Sequence, residues 1–224
     1  MMNPKQLAAE KAVEFIEDGM VVGLGTGSTA YWAIHKIAQR IQEGLRIRAV
    51  ASSRDSEELA NKLGIPMVPF SEIEVIDLTI DGADEVDPHL NLIKGGGGAL
   101  VREKILASNS KRFFVIVDES KRVEHLGQFP LPVEIVPFAA NFTINKLKEL
   151  GCNTRIRMSN DKEYITDNGN IIVDCNFEKI VEPRELNKQI NLIPGVLDNG
   201  LFTRMVSSLI IGYNDGKVKI IDQL

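Results

Sequence analysis

Apolar positions along the chain recur at two spacings, and each change of spacing marks a new element. Asn3 followed by Pro4 is a helix start, an N-cap side chain and then proline at the first helical position. Leu7, Ala8, Ala12, Phe15 and Ile16 follow at helical spacing until Gly19 supplies the stop. Met20 to Leu24 is a short apolar run of the kind that forms a buried parallel strand. It ends in Gly25–Thr29, after which Ala30 to Ile41 reads as a helix closed by Gly44. The alternation continues with a strand at 46–51 ending in Ser52 and Ser53, and a helix from Ser56 to Leu63 stopped by Gly64. Strands are expected over Met67–Phe70 and Val75–Ile80, the second delivering Asp81 at its C-terminal end. Residues 90–93 read as extended, Ala99–Ser108 as a helix, and Arg112–Val117 as a strand with Asp118, Ser120 and Lys121 beyond it.

Strands alternating with helices predict an α/β fold, a doubly wound Rossmann-like parallel sheet whose ligands gather beyond the C-terminal strand ends. Asp81, Asp118 and the Gly25–Thr29 loop all fall at such ends. Around residues 128–133 the pattern changes. A strand at Val133–Val136, a helix at Phe142–Leu150 and a strand at Thr154–Met158 precede a hairpin turn at 166–170. A strand at Ile171–Cys175 and a helix at Pro183–Ile190 complete a smaller ferredoxin-like α+β domain, inserted near the C-terminal part. Ser208–Ile211 and Val218–Ile221 are expected to rejoin the first sheet. The domains are therefore drawn as residues 1–127 plus 203–224, and residues 128–202.

Composition narrows the function. The chain has 224 residues, enough for one large or two small domains, with 44% hydrophobic and 25% charged residues. A net charge of −5 leaves no basic footprint for nucleic acid, so an anionic substrate must be held by a local cluster of amides and lysines. No apolar run is long enough to span a bilayer and the N-terminus carries no signal-peptide pattern, so a cytoplasmic protein is expected. Cys152 and Cys175 then read as reduced thiols. His35, His89 and His125 lack ligand spacing, and no metal site is expected.

Chemistry concentrates in three stretches. Gly23-Leu-Gly25-Thr-Gly27-Ser-Thr29 lacks the third glycine of a dinucleotide fingerprint, and the second strand ends in serines where a ribose would need an acid. Two readings stand for it: an anion cradle of helix-start amides with the hydroxyls of Thr26, Ser28 and Thr29, or a tight turn with a Ser/Thr cap. Asp81-Gly82-Ala83-Asp84-Glu85-Val86-Asp87 lacks the alternating oxygens and sixth-position glycine of a calcium loop. It reads either as an acidic turn or, with Lys94 and the glycine run 95–98 behind it, as an acid–base site. Glu103, on the following helix, is in isolation a residue placed for the helix dipole.

The combination closely resembles ribose-5-phosphate isomerases of the A type. It is carried by 23–30, 81–85, 94–100 and 102–104, then by Phe-Pro-Leu-Pro-Val-Glu at 129–134, Thr-Asp-Asn-Gly-Asn at 166–170, Pro-Gly-Val at 194–196 and Gly-Leu-Phe at 200–202. The resemblance implies a cofactor-free aldose–ketose isomerase acting through a cis-enediolate, with Glu103 as the shuttling base. It implies that Asp81, Asp84 and Lys94 surround the sugar hydroxyls, with Gly82 and Ala83 beside them and the amides of Gly95, Gly96 and Gly97 against the sugar. Thr26, Gly27, Ser28 and Thr29 would cradle the phosphate, and Lys121 with Lys5 would add positive charge. A homodimer or homotetramer is implied as well. Two other readings compete: a non-catalytic sugar-phosphate-sensing domain, and an acyl-CoA transferase-like enzyme with a glutamate nucleophile. The first is disfavoured by the retained acid–base set and by the lack of room for a DNA-binding segment before the first strand.

Overall fold

The computed structural model describes residues 3–222. In chain order the elements begin with α1 (Pro4–Val13), β1 (Val21–Leu24), α2 (Ala30–Gln42), β2 (Arg48–Ala51), α3 (Arg54–Lys62) and β3 (Ile76–Asp81). The short strands β4 (Glu85–Val86) and β5 (Leu92–Ile93) precede α4 (Leu100–Ser108) and β6 (Ser110–Asp118). Next come β7 (Leu131–Ile135), α5 (Ala140–Glu149), β8 (Asn153–Ile156), β9 (Met158–Ser159), β10 (Lys162–Glu163) and β11 (Ile171–Asn176). The chain closes with α6 (Pro183–Asn191), β12 (Val196–Asn199), β13 (Leu201–Phe202), β14 (Ser208–Gly212) and β15 (Val218–Asp222). These fall into two compact units, one running to Ala83 and taking in Arg102–Lys121 and everything from Met205 on, the other made of Asp84–Val101 and Arg122–Arg204. The second unit thus includes 84–101, a segment inside the 1–127 span expected for the first domain.

The first unit is a six-stranded mixed, mostly parallel sheet in the order β15-β14-β6-β3-β1-β2. Val22 and Leu24, Leu78 and Ile80, Phe114 and Ile116 alternate onto one face, where Ala8, Ala12 and Val13 of α1 and Ile34 and Ile37 of α2 cover them. Val21, Val50 and Ile76 turn to the other face and meet Leu106 of α4. Only the β14–β15 pair is antiparallel. The short turn Tyr213–Lys217 that joins them, closed by the Tyr213–Lys217 backbone bond, leaves no length for a crossover. Residues Met67–Phe70 do not form the expected strand: Met67 makes a single bridge to Ala49, and Phe70–Glu72 is a 3₁₀ turn. Pro66 and Pro69 have no N–H to give a ladder, which is enough to end it. Helix α1 also stops at Val13, and Phe15 and Ile16 follow in tight turns bonded to Ala12 and Val13.

The second unit holds a separate antiparallel sheet in the order β12-β7-β11-β8 and a small three-stranded sheet in the order β13-β5-β4. Leu131, Val133, Ile135, Val173 and Cys175 share a core with Leu147 of α5 and Ile190 of α6. Cys152 and Cys175 are buried there as free thiols. The Cys152 thiol beside it, together with burial, pushes the Cys175 thiol far above its ordinary range.

Candidate active site

In the first unit, the end of β1 is tied to the end of β3. The Gly25 N–H donates to Ile80 O at 3.0 Å, and the Thr26 N–H donates to Asp81 Oδ1 at 3.0 Å. The same oxygen accepts the Gly82 N–H at 2.7 Å. A Cβ on Gly25 would lie 2.2 Å from Asp81 Oδ1 and 2.6 Å from Asp81 Cα, so the glycine is what lets these two strand ends close up. Asp81 itself is buried. Gly27 has φ +100°, a conformation glycine adopts at little cost, and it leaves Gly27 and Ser28 exposed at the tip.

The three hydroxyls of the loop do not act alike. Thr26 Oγ1 turns inward, 2.8 Å from both Ser52 Oγ and Ser53 Oγ. Ser56 Oγ donates to Gly25 O at 2.7 Å and completes a buried cluster of hydroxyls under the loop. Thr26 therefore turns both its N–H and its hydroxyl inward and serves as a foot for the loop, which differs from the expectation that its hydroxyl joins the cradle. Ser28 Oγ accepts from Lys5 Nζ at 3.0 Å, so Lys5 is brought to the loop. Thr29 occupies the N-cap position of α2 without a side-chain capping bond. In the sequence Ser52 and Ser53 are visible only as residues that fail a nucleotide motif, and Ser56 only as a helix start.

Glu103 sits in the first turn of α4 and is buried. Leu106, one turn on, packs against Val21 and Ile76, the first residues of β1 and β3, and the Ile76 N–H donates to Asn109 O just beyond the helix, so α4 ends at the strand starts and Glu103 precedes it toward their C-terminal ends. Lys121 is half-buried in the 3₁₀ turn Glu119–Lys121 that follows β6. Asp118 at the end of β6 fixes that turn, accepting the Ser120 N–H at 2.9 Å and the Ser120 hydroxyl. Strand spacing puts the ends of β1 and β6 about 10 Å apart, with β3 and Asp81 between them.

The second unit carries Asp84, Lys94 and the glycine run. The Asp84 N–H donates to Ile93 O at 2.8 Å, and Asp84 Oδ2 accepts the Gly96 N–H at 2.7 Å. Lys94 is 2% exposed, a rare state for a lysine. Its N–H donates to Gly200 O, and its Nζ lies 5.5 Å from the centroid of the Phe202 ring. The glycines have individual reasons. Gly95 and Gly98 have φ of +97° and +86°, and a Cβ on Gly96 would sit 2.5 Å from Asp84 Oδ1. Gly96 and Gly97 are exposed.

Sequence reasoning missed the residues that brace this run. Arg157 Nη1 donates to Gly95 O at 2.8 Å and Gly96 O at 3.1 Å, while its Nε donates to Asp174 Oδ2 at 3.0 Å. Tyr164 Oη donates to Gly97 O at 3.4 Å. An arginine next to a short hairpin carries no local signal of this work; only its place beside β11 reveals it.

Residues 48–216 match the family described as ribose 5-phosphate isomerase A (phosphoriboisomerase A). The chain is 53% identical over 217 residues to ribose-5-phosphate isomerase A of Bacillus mycoides, covering 96% of this chain and 98% of the relative. It is 49% identical over 212 residues to ribose-5-phosphate isomerase A 1 of Oceanobacillus iheyensis, covering 94% and 95%. The solved ribose 5-phosphate isomerase A of Methanocaldococcus jannaschii is similar with a TM-score of 0.93 at 43% identity, covering 98% of each chain. A D-ribose-5-phosphate isomerase in complex with phospho-erythronic acid gives a TM-score of 0.95 at 40% identity, covering 99% of this chain and all of that one. Likeness of this depth along nearly the whole chain leaves one assignment: the chain belongs to the ribose-5-phosphate isomerase A family, and it is a ribose-5-phosphate isomerase of the pentose phosphate pathway.

Proposed function

We propose that the chain interconverts D-ribose 5-phosphate and D-ribulose 5-phosphate through a cis-enediolate, with Glu103 moving the proton between C2 and C1. A proton shuttle of this kind needs one carboxylate that can take and return a proton without losing it to water, and burial of Glu103 in a helix's first turn supports that role. Lys94 supplies positive charge to the enediolate oxygens, and its near-complete burial strengthens any such interaction. Asp81 and Asp84 exchange protons with the sugar hydroxyls and assist ring opening. Gly82, Ala83 and the Gly95–Gly97 amides line the sugar.

The phosphate is held by the backbone of Gly27–Thr29 and the hydroxyls of Ser28 and Thr29, with Thr26 bracing the loop from beneath and Lys5 and Lys121 offsetting the charge. The Lys5–Ser28 bond and the exposed loop tip support this division. A relative binds phospho-erythronic acid, a four-carbon acid phosphate. Its carboxylate and phosphate match the enediolate and the phosphate of the proposed path. The first unit is a doubly wound Rossmann-like sheet with helices on both faces, and the β12-β7-β11-β8 order supports a ferredoxin-like second domain. Exposed Phe138, Phe142 and Leu192 support a homodimer or homotetramer, and the free thiols a cytoplasmic setting.

Full-length identity to the family together with a buried Glu103 carries this reading. Its test is turnover of ribose 5-phosphate by chelator-treated protein, wild type and Glu103→Gln. Turnover by the wild type alone is expected. An active glutamine variant would remove Glu103 as the base, and a wild type active only with added metal would end the metal-free path.

A further inference from the structure

Arg157 lies between β8 and β9 with its backbone fixed on both sides: its N–H donates to Ile172 O at 2.8 Å, and its carbonyl accepts the Tyr164 N–H at 2.9 Å. Its guanidinium is paired through two nitrogens with the Asp174 carboxylate, both side chains largely buried. The remaining nitrogen grips the carbonyls of Gly95 and Gly96. In a trans peptide the carbonyl of one residue and the N–H of the next point in opposite directions within one rigid plane. Holding the Gly95 carbonyl therefore fixes the Gly96 N–H, which is the group that bonds Asp84. Holding the Gly96 carbonyl likewise fixes the Gly97 N–H away from Arg157. Among the described residues the Gly97 N–H donates to nothing, and Gly97 is exposed.

We propose that Arg157, anchored by Asp174, is a positioning residue for the isomerisation: through two successive peptide planes it holds the Asp84 carboxylate in place and presents the Gly97 N–H as a donor to a substrate oxygen. The positive charge polarises both peptide units, so each N–H is a stronger donor than an unassisted amide. Two adjacent glycine amides, one satisfied by the protein and one directed outward, form a donor set that needs no reorganisation when charge develops on the sugar. The inference rests on the assignment of Asp84 and the glycine run to the sugar.

The test uses the full chain with Arg157→Gln, Arg157→Lys, Asp174→Asn and Asp84→Asn, reading thermal midpoint, kcat, KM for ribose 5-phosphate and competitive inhibition by inorganic phosphate. Inorganic phosphate probes the anion loop alone. Arg157→Gln is expected to lower kcat on the order of ten- to a hundredfold while the inhibition constant for phosphate stays unchanged. Arg157→Lys recovers part of the loss because the charge remains, and Asp174→Asn falls between wild type and Arg157→Gln. A folded Arg157→Gln with wild-type kcat would overturn the proposal, as would a loss of kcat matched by an equal loss of phosphate inhibition. If Arg157→Gln does not fold, Asp174→Asn decides: unchanged kcat overturns the proposal, and a selective loss supports it. Wild-type turnover by Asp84→Asn would instead overturn the underlying reading of the sugar site, whereas an inactive Asp84→Asn beside an unaffected Arg157→Gln would remove only the positioning role.

Discussion

The two glycine-rich loops, Gly25–Thr29 and Gly95–Gly98, are built on opposite plans. Gly25–Thr29 joins β1 to α2, and its one crowded glycine faces the backbone and carboxylate of Asp81 on a neighbouring strand. Gly95–Gly98 leads into α4, and its glycines face side chains: Leu100 at Gly95, Asp84 at Gly96 and Tyr164 at Gly98. The first loop is set by the sheet beneath it. The second is set by side chains reaching it from elsewhere in its unit, chiefly Arg157. Glycine thus marks tight geometry in both places, but only at the second can that geometry be changed without moving a strand.

The substitution with the largest expected effect leaves both loops intact. Glu103→Gln should reduce kcat by about 10³-fold, the middle of the range for a general base, with inhibition by inorganic phosphate retained. Parallel loss of both would mean that the residue supports the fold of the proposed phosphate loop. Gly96→Ala comes next. Its Cβ meets only the carboxylate of Asp84, so that side chain swings away; kcat should fall on the order of a hundredfold with little change in thermal midpoint. A large drop in midpoint would show that the second loop is as tied to its scaffold as the first.

Gly25→Ala should lower stability as well as displacing the Asp81 carboxylate. Its Cβ falls within 2.6 Å of the Asp81 backbone, and relieving the clash should cost about 1–3 kcal/mol of stability, measured by denaturant unfolding. Ser28→Ala is milder: losing one hydroxyl donor to the phosphate should raise KM severalfold, about 1 kcal/mol, with kcat unchanged.

The smallest effect belongs to Asp77, near the start of the strand that ends in Asp81. Burial pushes its carboxyl up, but hydrogen bonds from the Lys111 ammonium and the Val21 N–H outweigh that and leave it below its ordinary 3.8. A carboxyl whose value is depressed by folding stabilises above its unfolded value and loses that contribution as the pH falls through the folded one. Asp77→Asn should therefore destabilise by under about 1 kcal/mol at neutral pH, since Lys111 is exposed, and the gap should close below pH 3.8 in unfolding experiments. Turnover should not change. A changed kcat would mean that the two ends of β3 are coupled.

Most strands of the sheet were legible because buried parallel strands leave continuous apolar runs, as at 20–24 and 112–117, whereas their order in the sheet was not. Met67–Phe70 misled because its apolar content resembles a strand while two prolines remove the donors a strand needs. Asp81, Asp84, Lys94 and Glu103 stood out by their density in one stretch. Arg157 and Asp174 did not, since their importance comes from pairing across strands distant in sequence. The inward turn of the Thr26 hydroxyl was not legible, since it is a rotamer choice set by Ser52 and Ser53 on the neighbouring strand end.

The proline-flanked segment beside β2 has a further consequence. A parallel sheet with an open rim invites another chain to add a strand, and aggregation begins at such rims. At this rim the Ala49 N–H and carbonyl are already occupied by Pro66 O and the Val68 N–H, at 2.9 and 3.0 Å. Pro66 and Pro69 then face outward with no N–H to offer an incoming strand. What failed as a seventh strand works as a stopper at this rim, taking the Ala49 groups that an added strand would need.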